Sequence, residues 1–441
     1  MVGPVVTLKE AVEMAVAYSP KVLQAQYNKE AIQFERKQAQ GLYAPRVDVE
    51  ASAGARRLEN TTRRNLGIAN DWLYPLELSG VADWTVVDFG RRRGELLRQA
   101  ARVDGASMRV VERSQYVGLQ VARLYLDVIL QQRIVAASED NVLFHQNLVR
   151  DLGQGVDEGS ISVADRQQAE ERLQAAIVRL EEARQSLTDA KIALRTLTGL
   201  DIENVQMPGL FTASMPSSVD EGVGLTRTDN PLVREAMADV DAANAMVKSA
   251  EGDRLPRFGV ELRGRYGNDI DGFAGETNDL QARVYMRWNV FDGGINAAKV
   301  QEMNRRSSEA RYRLHDVSRE AEEDFRTAWN AYGQLGKIVT TLERQSQVND
   351  DLLLSYRSQF NIGRRSLLDV LDAQNTRYNT QVRLETARFS YIFASYQILA
   401  VTNRFLDAVG VAPGVGAGET EREQFGYGPS APAELQRRVY P

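Results

Sequence analysis

Residues able to carry covalent or metal chemistry are scarce in this chain of 441 residues. It has no cysteine and two histidines. Disulfide scaffolds, thiolate metal sites and cysteine nucleophiles are therefore excluded, and histidine-based catalysis is disfavoured. His145 and His315 each lack a second histidine four residues on, the spacing a helix-borne zinc pair needs. Asn268-Asp269-Ile270-Asp271-Gly272 offers oxygen ligands for calcium but not the glutamate that completes such a loop, and reads as an external surface loop. Gly153-Gln154-Gly155 has no accompanying lysine and reads as a helix turn, not a phosphate loop. Arg91-Arg92-Arg93 stands beside a strand end, facing lipid phosphates or solvent. No catalytic constellation emerges, so the expectation is a protein that is not an enzyme and takes no cofactor or metal.

Composition narrows the class further. A net charge of -6 and a pI near 5.4 argue against a general nucleic-acid binder. With 43% apolar and 26% charged residues the chain is ordered rather than disordered. No apolar run approaches the roughly 20 residues of a membrane helix, although alternating barrel strands would escape that search. Met1-Val2-Gly3-Pro4 shows no basic segment followed by an apolar core, so no export signal is visible. The expected reading is a mature sequence with a cloned start; a cytoplasmic protein is the alternative.

The elements that must position any site are duplicated. Tyr18-Ser19-Pro20-Lys21-Val22 returns as Asp229-Asn230-Pro231-Leu232-Val233, and Ala44-Pro45-Arg46-Val47 as Leu255-Pro256-Arg257-Phe258. Val86-Val87-Asp88-Phe89-Gly90 returns as Val290-Phe291-Asp292-Gly293-Gly294, and the run from Gly159 to Asp165 as Gly363 to Asp369. Four matches in one order indicate a tandem duplication, with halves at 5–210 and 218–410 and a flexible, glycine-containing tail at 411–441.

Each half begins with a helical segment, Leu8–Leu42 or Val219–Arg254, that ends near a proline. Two period-two stretches follow, at about 46–57 and 76–88 and again at about 256–267 and 279–291. Leu280, Ala282, Val284, Met286, Trp288 and Val290, for example, alternate with Gln281, Arg283, Tyr285, Arg287 and Asn289. Such strands of about 11 residues, oily on one face and charged on the other, suit a tilted membrane-spanning strand. The alternative is a soluble sandwich. Four strands cannot close a barrel, and open edges in lipid cost several kcal/mol per unsatisfied group. A membrane reading therefore requires copies of the chain to share one barrel, as a dimer with about eight strands or a trimer with about twelve.

Long helical stretches follow each strand pair, on the order of 90 to 100 Å at 1.5 Å per residue. The return helices carry a heptad seam, in the first half Leu173, Ala176, Leu180, Ala183, Leu187, Ala190, Leu194 and Leu197, which means coiled-coil packing. On heptads alone a plain antiparallel rod fits. The attached strand pairs favour a channel.

With the duplication, these proline and strand-end motifs and the run Phe360-Asn361-Ile362-Gly363-Arg364-Arg365-Ser366-Leu367-Leu368-Asp369-Val370-Leu371-Asp372-Ala373-Gln374, the chain resembles the TolC-type outer-membrane channel family from Thr7 to Val411. The resemblance implies a mainly α protein with a shared transmembrane β-barrel, each protomer of a homotrimer giving four strands to a 12-stranded barrel and long coiled-coil helices to a periplasmic α-barrel. It also implies an outer-membrane location among lipid, a periplasmic adaptor and an inner-membrane transporter as partners, and no nucleic acid.

By the same resemblance Asp369 and Asp372 ring the periplasmic entrance. Their spacing of three puts both on one helix face. Arg365 ties inner to outer helix pairs, with Asp165 as one of its partners, forming an entrance latch. Ala164 replaces a hydroxyl partner and Phe360 a tyrosine, which leaves more of that latch to Asp165 and Arg365. The expected function is the passive exit duct of a tripartite export system, serving type I protein secretion. A multidrug-efflux outer component is the alternative, and a non-conducting coiled-coil scaffold or adhesin a distant one.

Overall fold

The computed structural model describes residues 5–159 and 161–425. A short strand β1 (Val5–Val6) precedes α1 (Leu8–Tyr18) and α2 (Pro20–Gly41). Then come β2 (Arg46–Ala53), β3 (Arg56–Arg57), α3 (Thr61–Asn65), β4 (Trp72–Leu73) and β5 (Leu76–Val87), followed by α4 (Arg91–Asp157) and its return helix α5 (Val163–Thr198). After β6 (Asn204–Val205) the plan repeats as α6 (Val219–Asp229), α7 (Pro231–Gly252), β7 (Arg257–Asn268), β8 (Glu276–Arg287), α8 (Ile295–Asn361) and α9 (Leu367–Val401), closed by α10 (Phe405–Val409). The long helices α4 and α8 both run for 67 residues. None of the described helices is long and apolar enough to cross a membrane.

Both opening segments differ from the single helix the sequence suggests. Each breaks one residue before proline, at Ser19 and Asn230, whose ψ is 126° in both cases. Proline disfavours the α region for the residue before it, while Pro20 and Pro231 begin the next helix, where a missing N–H is harmless. The strand limits differ too. Arg56–Arg57 leaves the first strand to pair with Trp72–Leu73, and β8 starts at Glu276 and stops at Arg287, leaving Trp288–Val290 outside the ladder.

The chain forms two compact units. One comprises the described residues up to Asn28 with Ser107–Glu235 and His315–Gly418. Its main core gathers Leu8, Ala11, Val12, Ala15 and Val16 of α1 against Val117, Val121 and Tyr125 of α4, Leu194 of α5, and Tyr396 and Leu399 of α9. The i, i+3, i+4, i+7 spacing on α1 puts its apolar residues on one stripe. The buried Tyr125 hydroxyl lies 2.7 Å from the carbonyls of Val6 and Gln206, anchoring the parallel β1–β6 pair.

The other unit comprises Lys29–Ala106, Ala236–Leu314 and the described residues from Glu419. It holds an antiparallel sheet in the order β2-β5-β7-β8. Its register aligns the oily positions across the sheet. Val47, Ala82, Leu262 and Ala282 form one row, and Val49, Leu78, Leu262, Leu280 and Val284 are all about half exposed or more. The opposite face is a charge network: Arg265 bonds Glu77 at 2.7 Å, Arg283 bonds Glu261 at 2.8 Å, and the Tyr285 hydroxyl donates to Asp83 at 3.0 Å. Trp84 and Trp288 donate their indole N–H groups to Tyr43 and Arg254, each two residues before a proline, so the duplication extends to hydrogen bonds.

Residues 411–425 are not the loose tail the sequence suggests. Arg422 bonds Asp104 at 2.6 Å and also Asp241, while Lys29 pairs with Glu419 and Arg36 with Glu421. Two carboxylates on different helices converge on one guanidinium, which composition could not disclose. Residues 426–441, the rest of that expected tail, lie outside the described residues.

Candidate functional site

The tips of the two helix hairpins are built alike. Gly159 and Gly363 take φ of 73° and 70°, the left-handed region in which glycine ends helices without a Cβ penalty. Each return helix then starts on a serine cap. Ser162 Oγ accepts the Asp165 N–H at 3.0 Å and lies 2.7 Å from its carboxylate. Ser366 does the same for Asp369 at 3.2 and 2.8 Å. Both aspartates thus sit in the first turn, where negative charge favours the helix dipole.

Arg365 is held inside its own hairpin. Its Nε donates to Gln359 Oε1 at 3.2 Å, its guanidinium lies 3.7 Å from Asp369, and its carbon stands 4.1 Å over the Tyr356 ring. Asp165 bonds Ser162, and the structure does not bring Asp165 and Arg365 into an ion pair among the described residues. Asp372 is exposed one turn beyond Asp369 on α9. Phe360 joins Phe144 and Ile161 around buried Leu148, Leu152, Leu367 and Leu371, an apolar knot uniting both tips. Asp269, the calcium candidate, spends its carboxylate on the N–H groups of Tyr74 and Gly275.

Above the knot runs a polar seam that the sequence reading missed. Gln374 donates to Asn141 at 2.8 Å, Ser138 and Tyr378 hydroxyls meet at 2.9 Å, and Arg179 donates to Asn375 at 2.9 Å. These bonds join α4 and α5 to α9, so they tie one hairpin to the other. Gln374 is 1% exposed and its Oε1 has no partner. His145 is also buried and its Nδ1 is unpartnered; burial, Arg172 and Arg179 push its pKa down to about 4, keeping the ring neutral. The available signal was Ser138, Asn141 and His145 spaced three and four apart on α4, polar types on a stripe where a coiled coil wants apolar ones.

A half-oily four-stranded sheet joined to two long helical hairpins, all of it duplicated, is the fold of the outer-membrane channels of the barrel-and-tunnel class. The chain belongs to the outer membrane efflux protein family, which matches residues 11–200 and 223–404. It is 25% identical over 287 residues to the outer membrane efflux protein BepC of Brucella suis, covering 65% of this chain and 62% of BepC. It is 22% identical over 316 residues to the outer membrane protein TolC of Escherichia coli, covering 64% of this chain and 63% of TolC. The chain thus spans less than two thirds of the length of either relative. The alkaline protease secretion protein AprF of Pseudomonas aeruginosa is 24% identical over 225 residues, 48% of this chain and 46% of AprF. The crystal structure of the Campylobacter jejuni CmeC outer membrane channel superposes with a TM-score of 0.79 at 14% identity, covering 90% of this chain and 86% of CmeC. These matches identify the fold class as expected, place the chain in the outer membrane, and set it among channels rather than enzymes.

Proposed function

We propose that the chain is one third of a trimeric exit duct that carries cargo passively from periplasm to exterior, working with a periplasmic adaptor and an inner-membrane transporter. The observation that carries this reading is the sheet: β2 and β8 each pair on one side only among the described residues, and its oily face is exposed. In lipid every backbone group needs a partner, which neighbouring copies would supply by joining β8 to β2. The charged face then lines the bore and the oily face meets lipid.

At the entrance, three copies of Asp369 and Asp372 would form two anionic rings that favour cations. Arg365 lies beside Asp369 in the protomer; the proposed latch has it exchange toward Asp165 when hairpins are drawn together in the closed assembly. Protein secretion is the cargo class we favour, in line with the name of AprF. The alternative is a multidrug-efflux exit, and the name of BepC supports efflux as such.

Single-channel recording of the purified protein in planar bilayers tests the duct. Discrete conductance steps support it, and a folded oligomer without them would indicate a non-conducting rod. Deleting the gene separates the cargo classes: loss of a secreted protein from the medium supports secretion, and drug sensitivity with unchanged secretion supports efflux.

A further inference from the structure

We propose that a cavity of about 660 Å³ at the helix-proximal end of β7 and β8 binds an oxyanion of the phosphate type. Arg91, Arg257, Arg287, Asp88, Asp253 and Trp288 line it. Arg257 and Arg287 are direct register partners across the β7–β8 ladder. Like charges placed opposite each other in a ladder repel, so this pair calls for a counter-charge.

The carboxylates nearby are committed elsewhere, apart from Glu261 Oε1, which has no hydrogen-bond partner and which Arg287 reaches only through space. Asp88 takes Arg92 Nε at 2.8 Å and the Arg92 N–H at 3.0 Å. Asp253 takes Arg91 at 3.1 Å and Lys299 at 2.8 Å. Glu261, two turns of the pleat along the same face, is engaged by Arg283 at 2.8 Å and Arg263 at 3.5 Å. Arg257 makes no ion pair or side-chain hydrogen bond with the described residues, and Arg287 stacks over the Tyr285 ring at 4.5 Å without an ion pair. Two guanidinium forks thus open on one cavity in excess of the local negative charge. Planar forks match the oxygens of a phosphate group two at a time, with stronger bonds than neutral donors give. Arg257 and Arg287 reach the cavity from the charged face and Met286 from the oily one, and Met286 and Trp288 are both about half exposed, so the cavity at the strand ends offers the same chemistry to a free phosphate and to a lipid headgroup.

The test uses the full chain in a phosphate-free maltoside detergent. Inorganic phosphate is titrated and its ³¹P line width followed. Saturable broadening is expected, falling at least five-fold in R257Q/R287Q and partly in R257Q alone, which serves if the double variant fails to assemble. In a second arm the protein is passed through phosphatidylglycerol vesicles, re-extracted, and assayed for bound phosphorus. Binding of inorganic phosphate without retained lipid assigns a free oxyanion. Lipid retained by the wild type, lost in the variants and displaced by phosphate assigns a headgroup. No saturable binding of either probe, or equal binding by correctly assembled variants, overturns the proposal. None of these readouts requires the chain to conduct, so failure here is separable from failure of the duct.

Discussion

Replacing Ala282 by arginine should prevent assembly while an arginine at the neighbouring Gln281 is tolerated. Ala282 is at the centre of the 12-residue strand β8, in register with Leu262. It shares a face with Leu280 and Val284, which are 75% and 78% exposed. On the lipid face of a barrel, arginine at the midplane costs about 2–4 kcal/mol per copy. Three copies in one wall would lose roughly 6–12 kcal/mol, as much as an ordinary domain's whole stability. Gln281 faces the opposite way, against Arg263, where a like-charge pair costs at most about 1 kcal/mol per copy. Met286→Arg, near the strand end, is expected to cost about 0–1 kcal/mol because the penalty fades toward the interface. The assay is the fraction of heat-resistant oligomer in isolated outer membranes. Ala282→Arg should fall below detection, with Met286→Arg and Gln281→Arg close to wild type. Equal assembly of Ala282→Arg and Gln281→Arg would refute the assignment of faces.

Alanine at Arg365 or Asp165 should raise single-channel conductance if these residues close the entrance; unchanged conductance in both variants removes the latch. The double variant Asp369→Ala/Asp372→Ala should shift the reversal potential away from cation selectivity, and identical potentials would remove the rings. In the polar seam, Asn141→Leu leaves the buried Gln374 amide without its acceptor and should cost about 1–3 kcal/mol in thermal unfolding, whereas Asn141→Leu/Gln374→Leu should recover most of it; additive losses would show the bond carries no coupling. His145, neutral and held at a pKa near 4 against an ordinary 6.5, contributes stability that is present above about pH 6.5 and lost as pH falls toward 4, roughly 3 kcal/mol in all. His145→Leu should flatten that part of the pH dependence of thermal unfolding, and an unchanged profile would exclude this origin.

Features that repeat along the chain were legible in its residues. The duplicated Pro20/Pro231 and Asp88/Asp292 motifs, the alternation through Leu280–Met286 and the heptads around Leu180 each follow from a local period, and the sheet and hairpins appeared where those periods stood. Contacts between distant segments were not legible. Asp165 and Asp369 look like free tip charges in sequence, yet each folds back on a serine cap three residues before it. Arg365 finds Gln359 and Tyr356 on the preceding helix, partners that only the closed hairpin brings near. Asn141 and Gln374, or Arg422 with Asp104 and Asp241, come together through tertiary packing, which no periodicity encodes.

The mass of the folded protein in mild detergent tests the shared wall most directly. Native mass spectrometry should give three times the 49.2 kDa chain, with β8 of each copy crosslinking to β2 of the next through paired cysteines introduced on those strands. A stable, correctly folded monomer with both sheet edges open would contradict it.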